Sequence, residues 1–127
     1  MIREEVVQKL MATGKWSRES AQLGEKSNYH CEYCGLDLFA TVENYKLWQV
    51  DHIVPTSCGG SLTDFDNLAL ACRTCNVIWK GRYNPRRDEP EGNREKLIEV
   101  VRQYIGKRRH QAEEEFEGFR RIVGHGV

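Results

Sequence analysis

The sequence lacks both a net charge and a long apolar run. Its 127 residues carry 19 Lys or Arg against 19 Asp or Glu, and no apolar stretch approaches the roughly 18 residues that a membrane-spanning helix needs. The first residues, MIREEVVQKL, mix acids with bases and lack the apolar core of a signal peptide. These absences argue against a membrane partner and predict a cytoplasmic location, where thiols stay reduced.

Repeats, low-complexity tracts and linkers are also missing. A chain of this length can bury one modest core. We therefore predict a single domain over residues 1–127. Its core is expected at about 28–82, with flanking helices at about 2–24 and 91–123.

The balanced charge is unevenly placed along the chain. Residues 80–109 carry ten Lys or Arg against five acids, whereas residues 28–79 carry two Lys or Arg against six acids. An acidic middle followed by a basic flank suits a metal site beside a phosphate-binding surface. The alternative is that these Lys and Arg residues are ordinary solvated helix faces.

The residue pattern predicts an α+β fold. Apolar spacing indicates helices at 2–11 and 17–23, the second ending at Gly24. A strand at 45–54, a turn-rich loop at 55–66 and a strand at 67–71 form a hairpin. A helix at 73–80 follows, and then one long or two consecutive C-terminal helices with Gly106 and Gly118 as candidate breaks.

Four cysteines form two CxxC pairs, Cys31 with Cys34 and Cys72 with Cys75. Two such turns supply the four thiolates of a tetrahedral structural zinc site. A disulfide framework is the alternative, which a reducing compartment argues against. Cys58 is unpaired and is read as a small loop residue.

Between the pairs stands VDHIVP, residues 50–55, which sets an acid and an imidazole side by side in a β-branched run. Gly59-Gly60, the segment NLAL at 67–70 and CNVIWK at 75–80 complete the series. In this order the pieces resemble the HNH endonuclease family with its ββα-metal core, over roughly residues 28–82. The resemblance implies a nuclease that hydrolyses phosphodiester bonds.

The resemblance also assigns roles to individual residues. His52 is the expected general base, because an imidazole can take a proton from water at neutral pH. Asp51 and Asn76 are the expected ligands of a catalytic divalent ion, and Asn67 orients the base and holds the loop. The last motif position is Asn rather than the His of the family's name. Two oxygen ligands favour Mg²⁺ or Mn²⁺.

Lys80 lies four residues after Asn76, which places both on one helical face. It is a candidate phosphate contact, as are Arg73 and Arg82, although a solvated lysine is an equal alternative. The expected partner is DNA, double-stranded, bound by a monomer that nicks or a homodimer that cuts both strands. The competing hypotheses are a non-catalytic zinc module and a nuclease toxin domain.

One local prediction concerns strand geometry. Neighbouring side chains in a strand point to opposite faces, whereas Asp51 and His52 are expected to act on the same phosphate. We therefore expect a bulge or irregular twist at this step, before Pro55.

Overall fold

A computed structural model describes residues 1–124 and combines helices with a two-stranded sheet. The α-helices are α1 (Glu4–Ala12), α2 (Arg18–Lys26), α3 (Val42–Tyr45) and α4 (Arg94–Val123). The strands are β1 (Trp48–His52) and β2 (Leu68–Cys72), and a π-helix spans Thr74–Lys80. The predicted α+β fold is confirmed. The domain prediction over 1–127 stays a prediction, and its last three residues, 125–127, lie outside the described residues.

Helix α2 begins where its cap residue predicts but ends later than expected. The Ser17 hydroxyl accepts from the backbone N–H of Ser20, as an N-cap does. The helix continues through Gly24 to Lys26, so the predicted end at Gly24 is wrong. A Cβ at Gly24 would approach the Tyr29 ring to 2.7 Å and the Trp48 ring to 2.9 Å. This glycine therefore serves close packing of two rings rather than helix termination.

Strand β1 is shorter than predicted. Residues Val42–Tyr45 form the helical turn α3 because the Thr41 hydroxyl accepts from the backbone N–H of Asn44 at 3.1 Å. The strand starts only at Trp48. Aromatic and β-branched composition had suggested an earlier start, and the cap at Thr41 overrides it.

The sheet is regular throughout, so the predicted irregularity at Asp51–His52 is wrong. Pairing runs one to one from Trp48↔Cys72 to His52↔Leu68, with no extra residue in either strand. The next backbone bond, from Ile53 N–H to the Asn67 carbonyl at 2.8 Å, continues the ladder. Asp51 is buried, whereas His52 is half-buried. Ordinary strand alternation thus gives the two polar residues different environments.

The predicted helix at 73–80 is present, with wide turns. The backbone N–H of Gly81 donates to the Asn76 carbonyl at 3.1 Å, an i→i+5 bond. Such π-helical turns are frequent at functional sites. All five residues of β2 are buried, and the core they join includes the facing side chains of α4.

Helix α4 is one continuous helix of 30 residues. Gly106 and Gly118 do not break it, and a Cβ at either would meet nothing within 4 Å. Its first half packs Leu97, Ile98, Val101 and Ile105 into the core. Despite this length, none of the helices in residues 1–124 combines the length and apolar character needed to cross a bilayer.

Candidate metal centres and active site

The four predicted zinc ligands converge at one point. Their Sγ atoms all lie within 4.8 Å of one another, and the sulfurs of Cys34 and Cys72 are 3.8 Å apart. A Zn–S bond of about 2.3 Å in a tetrahedron requires sulfur–sulfur edges of about 3.8 Å. Both the donor chemistry and this spacing fit a tetrahedral zinc ion. Hydrogen bonding, led by Cys31, lowers the pKa of the Cys34 thiol to about 7, whereas hydrogen bonds from the other three cysteines raise the pKa of the Cys75 thiol.

The first cysteine pair brackets a tight turn, residues 31–34, that we call the zinc knuckle. Its Glu32 pairs with Leu70 of β2 in both directions, backbone N–H to carbonyl and backbone N–H to carboxylate, each at 2.8 Å. The Arg94 guanidinium at the start of α4 contacts the same carboxylate at 2.9 Å and the Leu68 carbonyl at 2.9 Å. The knuckle is thereby fixed to both β2 and α4.

Three of the four predicted catalytic residues line an open cleft of about 240 Å³. It lies between the end of β1, the turn after Pro55 and the π-helix. Asp51, His52, Asn76, Lys80 and Arg82 are among its lining residues. The structure therefore brings together three of the four predicted catalytic residues.

Asp51 is buried at the base of this cleft, with 7% of its surface exposed. The Tyr33 hydroxyl donates to its Oδ2 at 2.6 Å, and the Lys80 ammonium lies 3.3 Å from the same oxygen. Burial raises the pKa of Asp51, and the positive charge of Lys80 and the Tyr33 hydroxyl oppose that rise. A buried carboxylate with two donors on one oxygen keeps the other oxygen, Oδ1, available for a ligand.

His52 is held by the loop after the strand. Its Nε2 lies 3.0 Å from the backbone carbonyl of Leu62. A carbonyl oxygen only accepts, so the proton of a neutral ring belongs on Nε2 in this contact. Nδ1 then carries the lone pair, which is the requirement for a general base.

Asn67 is not among the residues that line the cleft, but it fastens the loop that holds His52. Its Oδ1 accepts from the Val54 N–H at 2.9 Å, and its Nδ2 donates to the carbonyls of Val54 and Ser61 at 3.0 and 2.8 Å. Ser61 precedes Leu62, whose carbonyl holds the imidazole. These contacts agree with the expected role of Asn67 in holding the loop.

The structure gives a separate reason for each glycine of the Gly59-Gly60 pair in this loop. A Cβ there would come within 1.9 Å of the Val54 carbonyl oxygen and 2.9 Å of Asn67 Nδ2. Only a residue without a side chain lets the loop approach the strand this closely. Gly59 before it has φ +91°, a left-handed conformation that also favours glycine.

Asn76 presents its side chain from the π-helix. Its Nδ2 donates to Oε1 of Gln49 at 2.6 Å. This bond orients the amide and leaves Oδ1 as the atom available to bind a metal. An amide oxygen and a carboxylate oxygen are ligands that Mg²⁺ accepts together with water.

The three predicted phosphate contacts occupy different positions. Lys80 is 1% exposed, and its ammonium also donates to the His52 carbonyl at 3.2 Å. Arg82 is exposed at the cleft rim. Arg73 is exposed at the other end of the π-helix and is not among the residues that line the cleft. Phosphate binding by these residues stays a prediction.

Two residues of the site were missed from the sequence, Tyr33 and Gln49. Gln49 stands two residues before Asp51, and strand periodicity places both on one face. That spacing could have pointed to Gln49. Tyr33 carried no comparable signal, because the contact joins residues 18 positions apart in a turn and a strand.

The segment that builds this geometry is similar to known proteins. Residues 31–79, from the knuckle to the π-helix, match the family model described as HNH endonuclease. This segment is therefore similar to HNH endonucleases. The HNH match contains both cysteine pairs, Asp51, His52 and Asn76, whereas α1, α2 and α4 lie outside it.

The chain is also similar to a protein of known description. Over 76 residues, 58% of the chain, the sequence is 36% identical to the CRISPR-associated endonuclease Cas9 of Corynebacterium diphtheriae. The chain covers 6% of the length of that protein. The similarity therefore concerns one segment of a much larger protein.

Proposed function

We propose that this protein is a metal-dependent endonuclease that hydrolyses DNA phosphodiester bonds. The observation that carries the proposal is the grouping of His52, Asp51 and Asn76 around one open cleft. The imidazole offers a base with its lone pair on Nδ1, and the other two residues offer oxygen ligands. The match of residues 31–79 to the HNH endonuclease model supports the same chemistry.

In this proposal His52 Nδ1 takes a proton from the attacking water, and the Leu62 carbonyl keeps the opposite ring nitrogen protonated and the ring fixed. Oδ1 of Asp51 and Oδ1 of Asn76 would hold Mg²⁺ or Mn²⁺. When bound, such an ion stabilises charge on the phosphate and on the leaving 3′ oxygen. Asn67 keeps the loop in place throughout the reaction.

Zinc in the four-cysteine cluster has a structural role in this proposal. All four coordination positions of a tetrahedral ion would be taken by sulfur, which leaves none for water or substrate. Catalysis therefore belongs to the separate cleft at Asp51 and Asn76.

The surface beside the cleft offers a path for the nucleic acid. A second depression shares Lys80 and Arg82 with the cleft and is further lined by Tyr83, Arg87, Asp88 and Tyr104, so three basic residues accompany one acid. The two tyrosine rings stack with centroids 3.8 Å apart. We call this depression the basic furrow. Arginines beside aromatic rings suit phosphate and base contacts.

We further propose double-stranded DNA as the substrate and the cytoplasm as the location. One cleft per chain cuts one strand, so a monomer would nick and a homodimer would cut both strands. The basic furrow would make binding weaken as salt rises.

The test is a plasmid-nicking assay in Mg²⁺ or Mn²⁺ with three proteins: wild type, His52→Ala and His110→Ala. His110 is an exposed histidine on α4, away from the cleft, and serves as the matched control. We expect nicking by wild type and by the control, and a loss of about 100-fold or more for His52→Ala. Inert wild type in both metals, or equal cutting by His52→Ala, would overturn the proposal.

A non-catalytic zinc module that binds nucleic acid is the competing function. It needs the cysteine cluster but has no use for a histidine fixed with its lone pair at a cleft. Binding of DNA without any nicking would favour that module. A toxin role would instead appear as DNA damage in cells that express wild type but not His52→Ala.

A further inference from the structure

Tyr33 connects the zinc knuckle to the floor of the cleft. It lies between Cys31 and Cys34, and only 5% of it is exposed. Its hydroxyl donates to Oδ2 of Asp51 at 2.6 Å, in a buried contact. A residue of the structural metal site thus touches a proposed ligand of the catalytic metal.

The direction of this hydrogen bond follows from the chemistry of its two partners. An ionised carboxylate has no hydrogen to donate and only accepts, whereas a phenol carries one O–H donor. The Tyr33 hydroxyl therefore donates to the carboxylate.

Lys80 approaches the same oxygen of Asp51 from the π-helix, at 3.3 Å. An ammonium is a point charge on a flexible stem, and it does not define the plane of a carboxylate. The Tyr33 ring is rigid and is held by the knuckle, so its hydroxyl defines a direction. Of the two donors, Tyr33 is the one able to orient the carboxylate.

We propose that Tyr33 is a positioning residue for the divalent ion in the cleft: it holds Oδ2 of Asp51 so that Oδ1 faces the ion. This proposal rests on the proposed function, since it concerns the metal of that same cleft. It also makes zinc binding at the knuckle a condition for an ordered catalytic centre. Partners that orient a ligand from behind commonly change metal affinity about 10- to 100-fold.

A purely structural role for Tyr33 makes a different prediction. As a core residue alone, it would affect the stability of the fold and leave the affinity of the cleft for metal unchanged. Direct metal binding therefore separates the two roles, whereas activity does not.

The experiment measures Mn²⁺ affinity by calorimetry or electron paramagnetic resonance on zinc-loaded protein. It compares wild type with Tyr33→Phe, which removes only the hydroxyl. The matched control is Tyr29→Phe, because the Tyr29 hydroxyl also donates to a carboxylate, that of Glu25 at 2.5 Å, on α2. Asp51→Asn changes the proposed ligand itself, so the Mn²⁺ binding signal that this variant loses is the signal of the ion in the cleft.

We expect about tenfold weaker Mn²⁺ binding for Tyr33→Phe with zinc content retained, and unchanged affinity for Tyr29→Phe. Equal Mn²⁺ affinity in wild type and Tyr33→Phe would overturn the positioning role. If wild type binds Mn²⁺ through Asp51 yet cuts no nucleic acid, the proposed nuclease function fails and the positioning role stands.

A second measurement needs no change at position 33. In wild type, Mg²⁺ is expected to shift the resonance of the hydroxyl-bearing ring carbon of Tyr33, and Asp51→Asn is expected to abolish the shift. A resonance that does not respond to Mg²⁺ in wild type would contradict the proposal even if Tyr33→Phe did not fold.

Discussion

The side-chain amide of Asn76 donates to Oε1 of Gln49 across 2.6 Å, and this bond ties the π-helix to β1 beside the cleft. Gln49 and Asp51 lie on the same face of β1, since side chains alternate along a strand. One strand face therefore carries a proposed metal ligand and also the acceptor that orients the second ligand.

Gln49→Leu removes that acceptor with little change in size. We expect the amide of Asn76 to lose its fixed orientation, and the Mg²⁺ concentration for half-maximal nicking to rise about tenfold. Titration of Mg²⁺ in the nicking assay measures the change. Gln111→Leu on the exposed part of α4 is the control, and an unchanged Mg²⁺ requirement in Gln49→Leu would refute the role of this bond.

Gly60→Ala is expected to destabilise the loop that holds His52. The new Cβ would lie 1.9 Å from the backbone oxygen of Val54, so strand or loop must move. We expect a loss of about 1–3 kcal/mol in the free energy of unfolding, measured with urea, together with reduced nicking.

The control for this substitution is Gly118→Ala. A Cβ at position 118 meets nothing within 4 Å, and Gly118 lies inside α4. There alanine should stabilise the helix by up to about 1 kcal/mol. Equal effects at the two positions would contradict the steric explanation for Gly60.

Removal of the structural metal should unfold the core. Zinc binding at four thiolates contributes on the order of 10 kcal/mol to folding in small domains. Cys34→Ser is expected to lower bound zinc below the roughly one ion per chain of a four-thiolate site and to abolish the cooperative thermal transition. Metal analysis and circular dichroism measure both effects.

Cys58→Ser is the control, because Cys58 is exposed and outside the cluster. Normal folding of zinc-free protein would exclude the structural role.

The basic furrow should contribute to the affinity for DNA but not to the hydrolysis step. In a His52→Ala background, which prevents cutting, the double substitution of Arg82 and Arg87 to Ala should weaken binding. The slope of log affinity against log salt should fall by about one for each DNA phosphate that the variant no longer neutralises. Fluorescence anisotropy at several salt concentrations measures this. Arg121→Ala, at the far end of α4, should leave the slope unchanged, and the same slope for all variants would rule out the furrow.

The contact between Arg3, the N-cap residue of α1, and Glu25 of α2 should depend on pH. The Arg3 guanidinium contacts the Glu25 carboxylate at 2.8 Å, and chiefly this hydrogen bond lowers the pKa of Glu25 to about 2. A carboxylate with a lowered pKa stabilises the fold above its unfolded pKa of about 4.3, and this contribution disappears as the pH falls towards about 2.

Glu25→Gln tests this dependence. We expect the free energy of unfolding of Glu25→Gln to be about 1–3 kcal/mol lower than that of wild type at neutral pH. The reason is that the amide weakens the hydrogen bonds that the nearly buried carboxylate accepts. Urea unfolding of both proteins in excess zinc should show the difference shrinking as the pH is lowered below about 5. A difference that grows at low pH would contradict the assignment.

Several elements of the site could be predicted from the sequence. The two cysteine pairs carry their chemistry in their residue types and spacing, whereas Asp51, His52 and Asn76 were singled out by the resemblance of the whole series of motifs to the HNH endonuclease family. The four-cysteine cluster could be predicted because two CxxC turns that come together supply the four thiolates of a tetrahedral zinc site. The catalytic roles and the identity of the cleft metal stay predictions that the experiments above address.

Other expectations failed where a tertiary contact outweighed a local signal. Gly24 suggests a helix end, yet the helix continues to Lys26, and the glycine is instead explained by the Tyr29 and Trp48 rings, which occupy the space that a side chain would fill. The expected bulge at Asp51–His52 is absent because the ladder to β2 continues through Asn67. In both cases the deciding partner lies in another element.

The sequence by itself determined which donors are present: four sulfurs for a zinc ion, one imidazole, and a carboxylate and an amide with hard oxygen atoms. Tertiary structure alone decided which atom of each donor is available. Tyr33 and Lys80 engage Oδ2 of Asp51, Leu62 engages Nε2 of His52, and Gln49 engages Nδ2 of Asn76. The physical reason is that hydrogen bonds are directional and these partners are distant in sequence, so only the folded chain brings each one to its atom.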